Sequence, residues 1–247
     1  MGATRIEFRL RMAIMAVLIV LGYWAPWIEA WGIGSRIPLL VWLALELSRL
    51  GLVPFSVATP LVIVTAALIA AKAIVFRVWG TAWLGPATML HSRMKAGEFV
   101  ADGPYRYVRN PLYIGLWSMT GAMAFLMPPT GALFVLVAVP AFLLRLTLGE
   151  EAFLISQLGE LYQAYLRAVP RLIPRLRTTL PPSGRKPQWL RAVLSELSPI
   201  GVFVTLAFLS WSYDCRLMVR AIIVSFGLSL VVRALLPGTR QKAAQAE

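Results

Sequence analysis

From Asn110 to Leu144 the chain carries no charged side chain, and this stretch is one of several apolar runs set between arginine-rich segments. Crossing a bilayer as a helix takes about 20 apolar residues, at a rise of about 1.5 Å each through about 30 Å of hydrocarbon. Runs of that order recur along the chain, so lipid is the main solvent. The composition points the same way, because 247 residues with 59% hydrophobic and only 14% charged positions lie outside the range of soluble domains. The expected fold is all-α, a polytopic transmembrane helical protein forming one membrane domain over residues 1–247.

The order of runs sets the topology. The first lies between Arg11 and Glu29, follows Arg5, Arg9 and Arg11, and precedes no small-x-small cleavage site, so it reads as a retained signal anchor. Leu50 to Ala71 is free of charge and forms a second span. Between them, Ile37 to Leu50 contains Glu46 and Arg49 and would be about 21 Å long as a helix, which suits an interfacial element. Two early crossings keep Arg77, Arg93, Lys95, Arg106 and Arg109 on the cytoplasmic side, as the positive-inside rule prefers. Met127-Pro128-Pro129-Thr130-Gly131 breaks the next run into a helical hairpin with two short arms. Arg145 to Arg191 is again basic, with Pro181-Pro182-Ser183-Gly184 as a local linker, and should be cytoplasmic. Leu197–Tyr213 and Leu217–Leu236 give a C-terminal transmembrane hairpin over residues 196–236. The expectation is about six spans, with both termini cytoplasmic and, in a bacterium, residence in the plasma (inner) membrane.

A net charge of +13 could suggest nucleic acid, but the basic residues are scattered between apolar runs rather than gathered on one face. Anionic headgroups of membrane lipids are the expected partner, with no nucleic acid. The single cysteine, Cys215, excludes an intrachain disulfide framework and a Cys-based zinc site, and no metal is expected. The one histidine, His91, reads as a loop or interface residue.

Chemistry should reside in the two cytoplasmic segments. The first runs from Asp102 to Gly115, with turn-forming pairs at Gly103-Pro104 and Asn110-Pro111 that bracket Tyr105, Arg106, Tyr107 and Arg109. Pro111 suits the first turn of a helix whose free N–H groups could receive a carboxylate. A basic-aromatic belt at the membrane interface would have the same composition. The second segment opens with Gly149-Glu150-Glu151 and is expected to continue as one helix through Tyr165. Glu151, Leu154, Leu158, Tyr162 and Tyr165 share a face at spacings of three or four. Two carboxylates at a membrane-embedded helix end need a cationic or hydrogen-bonding partner. An amino-acid ammonium is one candidate, and Arg145 one turn earlier is the structural alternative. Val169-Pro170-Arg171-Leu172-Ile173-Pro174 then ends the helix.

Taken in order, Gly103-Pro104-Tyr105, Arg109-Asn110-Pro111, Tyr113, Gly115, Glu150-Glu151, Leu154, Gly159, Tyr162, Tyr165, Arg171 and Pro174 resemble the isoprenylcysteine carboxyl methyltransferases and the related membrane phospholipid methyltransferases. The likeness covers residues 80–175, a methyltransferase-like catalytic core. It implies an S-adenosylmethionine-dependent membrane methyltransferase whose cofactor binds at the cytoplasmic face without a Rossmann domain. The resemblance places Tyr105, Arg109, Asn110, Pro111, Tyr113 and Gly115 along the cofactor, with Glu150 and Glu151 at its amino-acid end. It gives Arg109 and Arg171 catalytic roles and sets Tyr162, Tyr165 and Arg171 toward the acceptor. Asn110 departs from the histidine usual in carboxyl methyltransferases, and asparagine is familiar among phospholipid and bacterial-type members.

Methyl transfer from a sulfonium needs alignment and a dry site, and no metal. A carboxylate acceptor would be held by a cation such as Arg171, whereas an amine acceptor calls for a base. A lipophilic small-molecule or lipidated acceptor methylated on a carboxyl oxygen is therefore expected, with phospholipid N-methylation as the alternative. An NADPH-dependent reductase of the sterol type and a non-catalytic lipid-binding protein are further alternatives.

Overall fold

A computed structural model describes residues 2–84, 101–178, 180–181, 186–212 and 214–235. His91, Arg93, Lys95, most of the Pro181–Gly184 linker and the Thr239–Glu247 tail lie outside the described residues. Among those described, all regular elements are helical.

The N-terminal segment folds as α1 (Arg5–Arg9) and α2 (Arg11–Trp24). Thr4 starts α1 with a capping box: its hydroxyl accepts from the Glu7 N–H, and the Glu7 carboxylate accepts from the Thr4 N–H. α2 ends at Ala25, which has a left-handed backbone with φ 40°. A short α3 (Trp27–Trp31) and then α4 (Leu39–Arg49) follow, the latter where the interfacial helix was expected. α5 (Phe55–Leu84) is longer than the charge-free run that signalled it. Lys72 and Arg77 end the run in the sequence but continue the helix, since both are good helix formers.

The hairpin has unequal arms. α6 (Pro111–Ala124) has 14 residues and α7 (Pro129–Leu158) has 30, so the first arm alone is short. α7 ends at Gly159, whose φ of 53° and ψ of −128° interrupt the helix, and α8 (Glu160–Ala168) restarts beyond it. The single helix expected from Gly149 to Tyr165 is thus two helices, because this glycine takes a positive-φ conformation that suits glycine. The C-terminal part contains α9 (Trp189–Ser195) and α10 (Leu197–Val204), which continues through a π-helical stretch and a short 3-10 turn to Ser212. The two are bent by 64° about Glu196, and α11 (Cys215–Leu235) closes the bundle.

Six crossings were expected, and the described residues support fewer. α5, α7 and α11 are each long and apolar enough to cross a bilayer, and the bent α9–α10 pair makes a fourth if it acts as one span. Apolar runs overstate helix lengths here, because Leu10 and Ala25 bound α2 and the Asn110-Pro111 and Phe125–Pro128 turns bound α6. Fourteen helical residues reach only about 21 Å. The N-terminal segment is nonetheless laid antiparallel along α7. A Cβ on Gly2 would come within 2.9 Å of the Gly149 backbone, and one on Gly131 within 1.9 Å of the Gly22 carbonyl oxygen.

Close approach recurs where α5 crosses α6. A Cβ on Gly80 would lie 2.7 Å from Leu112, and one on Gly115 would lie 2.6 Å from the Arg77 side chain and 3.1 Å from its backbone nitrogen. Buried Ala66, Ala70 and Ala73 continue the small-residue face along α5. Leu61, Leu68 and Val75 on α5 and Leu133 and Val137 on α7 are exposed, as lipid-facing side chains would be. The Ala3 N–H donates to the Arg145 carbonyl at 2.8 Å, and the Gln188 N–H to that of Ala82 at 2.8 Å. Both contacts gather the chain at the end of the bundle formed by the end of α5, the start of α6 and the end of α7.

Candidate functional site

At that end, Gly103 turns the chain with φ 55°, and a Cβ there would collide with the Trp83 ring at 2.3 Å. Only glycine fits both the backbone and the space. The turn leads into a 3-10 helix, Gly103–Arg106, with Pro104 and Tyr105 buried. The Tyr105 hydroxyl points at the Gly80 carbonyl at 3.5 Å, and its own carbonyl accepts from the Tyr165 hydroxyl at 2.8 Å.

The return segment after α8 is fastened to this segment by two main-chain bonds and one from a side chain. The Arg109 N–H donates to Pro170 O at 2.9 Å, the Arg175 N–H to Tyr107 O at 3.0 Å, and the Asn110 side-chain amide to Arg171 O at 3.2 Å. Pro170 lacks an N–H but keeps a carbonyl, and here that carbonyl is the acceptor. These bonds bring Arg171 beside Arg109, 62 residues earlier in sequence by simple difference of their numbers.

Glu151 lies between the two arginines. Its carboxylate accepts from Arg109 Nη1 at 2.7 Å, and from Arg171 Nη2 at 2.7 Å and Nε at 3.1 Å. Its side chain is 8% exposed, that of Arg109 12% and that of Arg171 37%, so the group opens outward through Arg171. The contact with Glu151 holds the Arg171 guanidinium above its usual pKa range. The Arg109 Nε is buried and has no hydrogen-bond partner among the described residues.

Glu150 faces elsewhere, because successive helical residues point about 100° apart. One of its oxygens accepts from the Tyr113 hydroxyl at 2.7 Å. Among the described residues, none of the ion pairs includes Glu150. Arg145, the sequence's alternative partner for the acid pair, instead binds Glu7 at 2.9 and 3.0 Å. The two carboxylates are thus chemically distinct: Glu151 is neutralised twice over, and Glu150 meets a neutral phenol.

Tyr162 and Tyr165 sit on the inner face of α8, with ring centroids 5.7 Å apart and packed with Val169 against Leu154, Ile155 and Leu158. Burial, with the Glu151 charge second, pushes the Tyr162 phenol up to about 12, and burial likewise raises Tyr165. Pro111 occupies the first turn of α6, and Asn110 caps that helix without a side-chain bond to its N–H groups. Gly115 faces Arg77 on α5. The structure therefore brings Arg109, Asn110, Glu151 and Arg171 into one cluster and joins Tyr113 to Glu150, while Tyr105 and Gly115 serve the packing behind them. No group of three or more His, Cys, Asp or Glu side chains is placed to hold a metal among the described residues.

A second polar cluster lies on the other side of α6. Glu196 is fully buried and accepts from Arg77 Nε and Nη2, each at 2.8 Å, and from the Thr81 hydroxyl at 2.8 Å. Arg233 lies 3.9 Å from the same carboxylate and donates through Nε to Ser195 O at 2.6 Å. Sequence spacing gives no hint of it, since Arg77 and Glu196 are 119 positions apart.

Comparison with known proteins finds similarity over part of this arrangement. Residues 61–160 match the sequence model described as phospholipid methyltransferase. This stretch is similar to that family. The matched segment carries Arg109, Asn110, Tyr113, Glu150 and Glu151 and stops before Tyr162, Tyr165 and Arg171. The chain is similar to a protein-S-isoprenylcysteine O-methyltransferase of Schizosaccharomyces pombe, 39% identical over 84 residues that make up 33% of this chain and 35% of the relative. It is also similar to a methanethiol S-methyltransferase of Crocosphaera subtropica, 38% identical over 77 residues, 31% of this chain and 29% of the relative. The matches span about a third of the length of these curated relatives. No solved structure matches.

Proposed function

We propose that this protein is an S-adenosylmethionine-dependent methyltransferase acting on a lipid-like, membrane-embedded acceptor, with a carboxyl oxygen of the isoprenylcysteine type as the group methylated. The observation that carries this reading is the Arg109–Glu151–Arg171 group, set beside Glu150 at one end of an apolar bundle within and just beyond the matched segment.

The polar ends of the cofactor have matching partners. Glu150, with only a phenol as its hydrogen-bond partner and no ion pair among the described residues, suits an ammonium. The start of α6, where Asn110 offers no side-chain cap, and the unpartnered Arg109 Nε suit a carboxylate. When bound, the cofactor supplies a methyl group on a sulfonium. The methyl would pass to the acceptor oxygen, with the pair of the broken sulfur–methyl bond left on sulfur. A carboxylate and a sulfonium would thereby become a neutral ester and a neutral thioether, a cancellation of charge that a dry site would favour.

The acceptor chemistry follows from charge. Two arginines and one glutamate leave this group with a net positive charge, which an anionic acceptor would neutralise at the partly exposed Arg171. An amine would meet repulsion there and would have to lose a proton to a base. Phospholipid N-methylation is the second reading, favoured by the family description, and Glu150 would then be the nearest carboxylate able to take a proton. The site end of the bundle faces the cytoplasm in this proposal, with both chain termini on that side, because the segments there are the arginine-rich ones.

The test is titration of the purified full-length protein with S-adenosylmethionine and with NADPH, followed by mass spectrometry of methylated lipids. S-adenosylmethionine binding with methyl ester formation is expected. Methylation on nitrogen would move the acceptor to the second reading. NADPH binding alone would replace the proposal with a sterol-type reductase, and binding of neither with a non-catalytic lipid-binding role.

A further inference from the structure

We infer that Glu196, far outside the matched segment, is a positioning residue for the methyl-transfer site: by anchoring Arg77 it holds α6 against α5 and so sets where Tyr113 meets Glu150. This rests on the function proposed above.

The geometry is that of a clamp. The aliphatic part of Arg77 lies in the space that Gly115 leaves empty, where a Cβ would come within 2.6 Å of Cγ and 3.0 Å of Cδ. Beyond that contact its guanidinium reaches the junction of α9 and α10 and ends in a two-pronged bond to Glu196. Arg77 therefore runs between α6 and the C-terminal helices, held on both sides. Two residues before Gly115, Tyr113 donates to Glu150, and one turn earlier lies the Asn110-Pro111 start of the helix. A change in the course of Arg77 would thus displace the helix that carries these groups.

The carboxylate is suited to this task. It is fully buried, and its oxygens accept from Arg77 twice and from Thr81 once, so three donors fix its orientation. Arg233 adds a further cation and itself secures Ser195, tying the end of α11 to the same point. A buried carboxylate needs this kind of satisfaction, and once satisfied it has one discrete arrangement rather than many. An amide in its place has a single acceptor oxygen, so one prong of Arg77 would face an N–H group. Lysine in place of Arg77 would keep the charge and lose the fork.

The experiment measures affinity and stoichiometry together, by calorimetric titration of S-adenosylmethionine into monodisperse full-length protein. Glu196→Gln and Arg77→Lys should each bind one equivalent, as wild type does, with Kd raised about fivefold or more. Gly115→Ala should raise Kd alone and add little on top of Glu196→Gln, because both release the same clamp. A residue with a merely structural role would lower the fraction of protein that binds and leave Kd unchanged, which would overturn the inference. Additive effects of Gly115→Ala and Glu196→Gln would overturn it as well. Should Glu196→Gln fail to fold, Arg77→Lys alone carries the test, with Arg77→Lys/Gly115→Ala as its double variant. Wild-type protein that does not bind S-adenosylmethionine would refute the proposed function itself, a separate result.

Discussion

Glu150 and Glu151 are neighbours in sequence, yet replacing each with glutamine should have different consequences. Glu151 accepts three hydrogen bonds from two guanidiniums, so Glu151→Gln leaves both arginines without a counter-charge. Removing one member of a buried ion pair typically costs about 3 to 5 kcal/mol. Arg171 is 37% exposed and can regain water, whereas Arg109 at 12% cannot, so the lower end of about 3 kcal/mol applies. For a chain of this size that is about 6 to 12 °C in Tm. Glu150→Gln keeps an oxygen able to accept from Tyr113, so stability should change by less than about 1 kcal/mol. Its effect should fall on the cofactor, with S-adenosylmethionine affinity weakened by about 1 to 3 kcal/mol through loss of a charged partner. The assay is thermal unfolding of purified protein in parallel with cofactor titration. A lower unfolding temperature for Glu150→Gln than for Glu151→Gln, or a Glu151→Gln protein as stable as wild type, would refute this division of roles between the two carboxylates.

Three other outcomes are expected. Arg171→Lys should bind the cofactor normally and turn over at least about tenfold more slowly, about 1.4 kcal/mol, because one ammonium cannot reproduce a fork; near wild-type turnover would favour an arginine that only contacts lipid headgroups. A cysteine introduced at Lys186 should resist an impermeant thiol reagent in intact cells, and labelling from outside would reverse the proposed orientation. The Glu7 carboxyl is held below its ordinary value by the Thr4 backbone bond and then by Arg145. Its contribution to anchoring α1 is therefore complete above the unfolded pKa near 4.5 and is lost as pH falls through the lower folded value. Amide exchange of residues 4–9 should rise over that acidic window in wild type and be independent of it in Glu7→Gln.

Features that depend on local order were legible in the chain itself. The helical character of the described residues and their long apolar helices followed from uncharged runs, and the Pro111 helix start from an Asn-Pro pair that favours a turn and suits the first helical position. The ordered motif from Gly103 to Pro174 pointed to the resemblance because its spacing is a property of the chain alone, and the matched stretch contains the first part of it. Helix lengths were less legible, since charge ends a hydrophobic run without ending a helix: α5 passes through Lys72 and Arg77 to Leu84. Conversely, Gly159 breaks a helix in the midst of a regular pattern, through a backbone angle that periodicity does not record.

Partnership emerged with the packing of the helices. Two adjacent glutamates look equivalent in a string of letters, and the rotation of about 100° between helical neighbours separates them into one shared by two arginines and one facing a phenol. Arg171 reaches that pair because main-chain bonds from Arg109 to Pro170 and from Arg175 to Tyr107 fold the return segment onto it. Arg77 finds Glu196 because Gly115 leaves room for its side chain to pass. Each of these contacts joins residues distant in sequence, and electrostatic strength depends on distance and burial in space, quantities that exist only once the helices have packed.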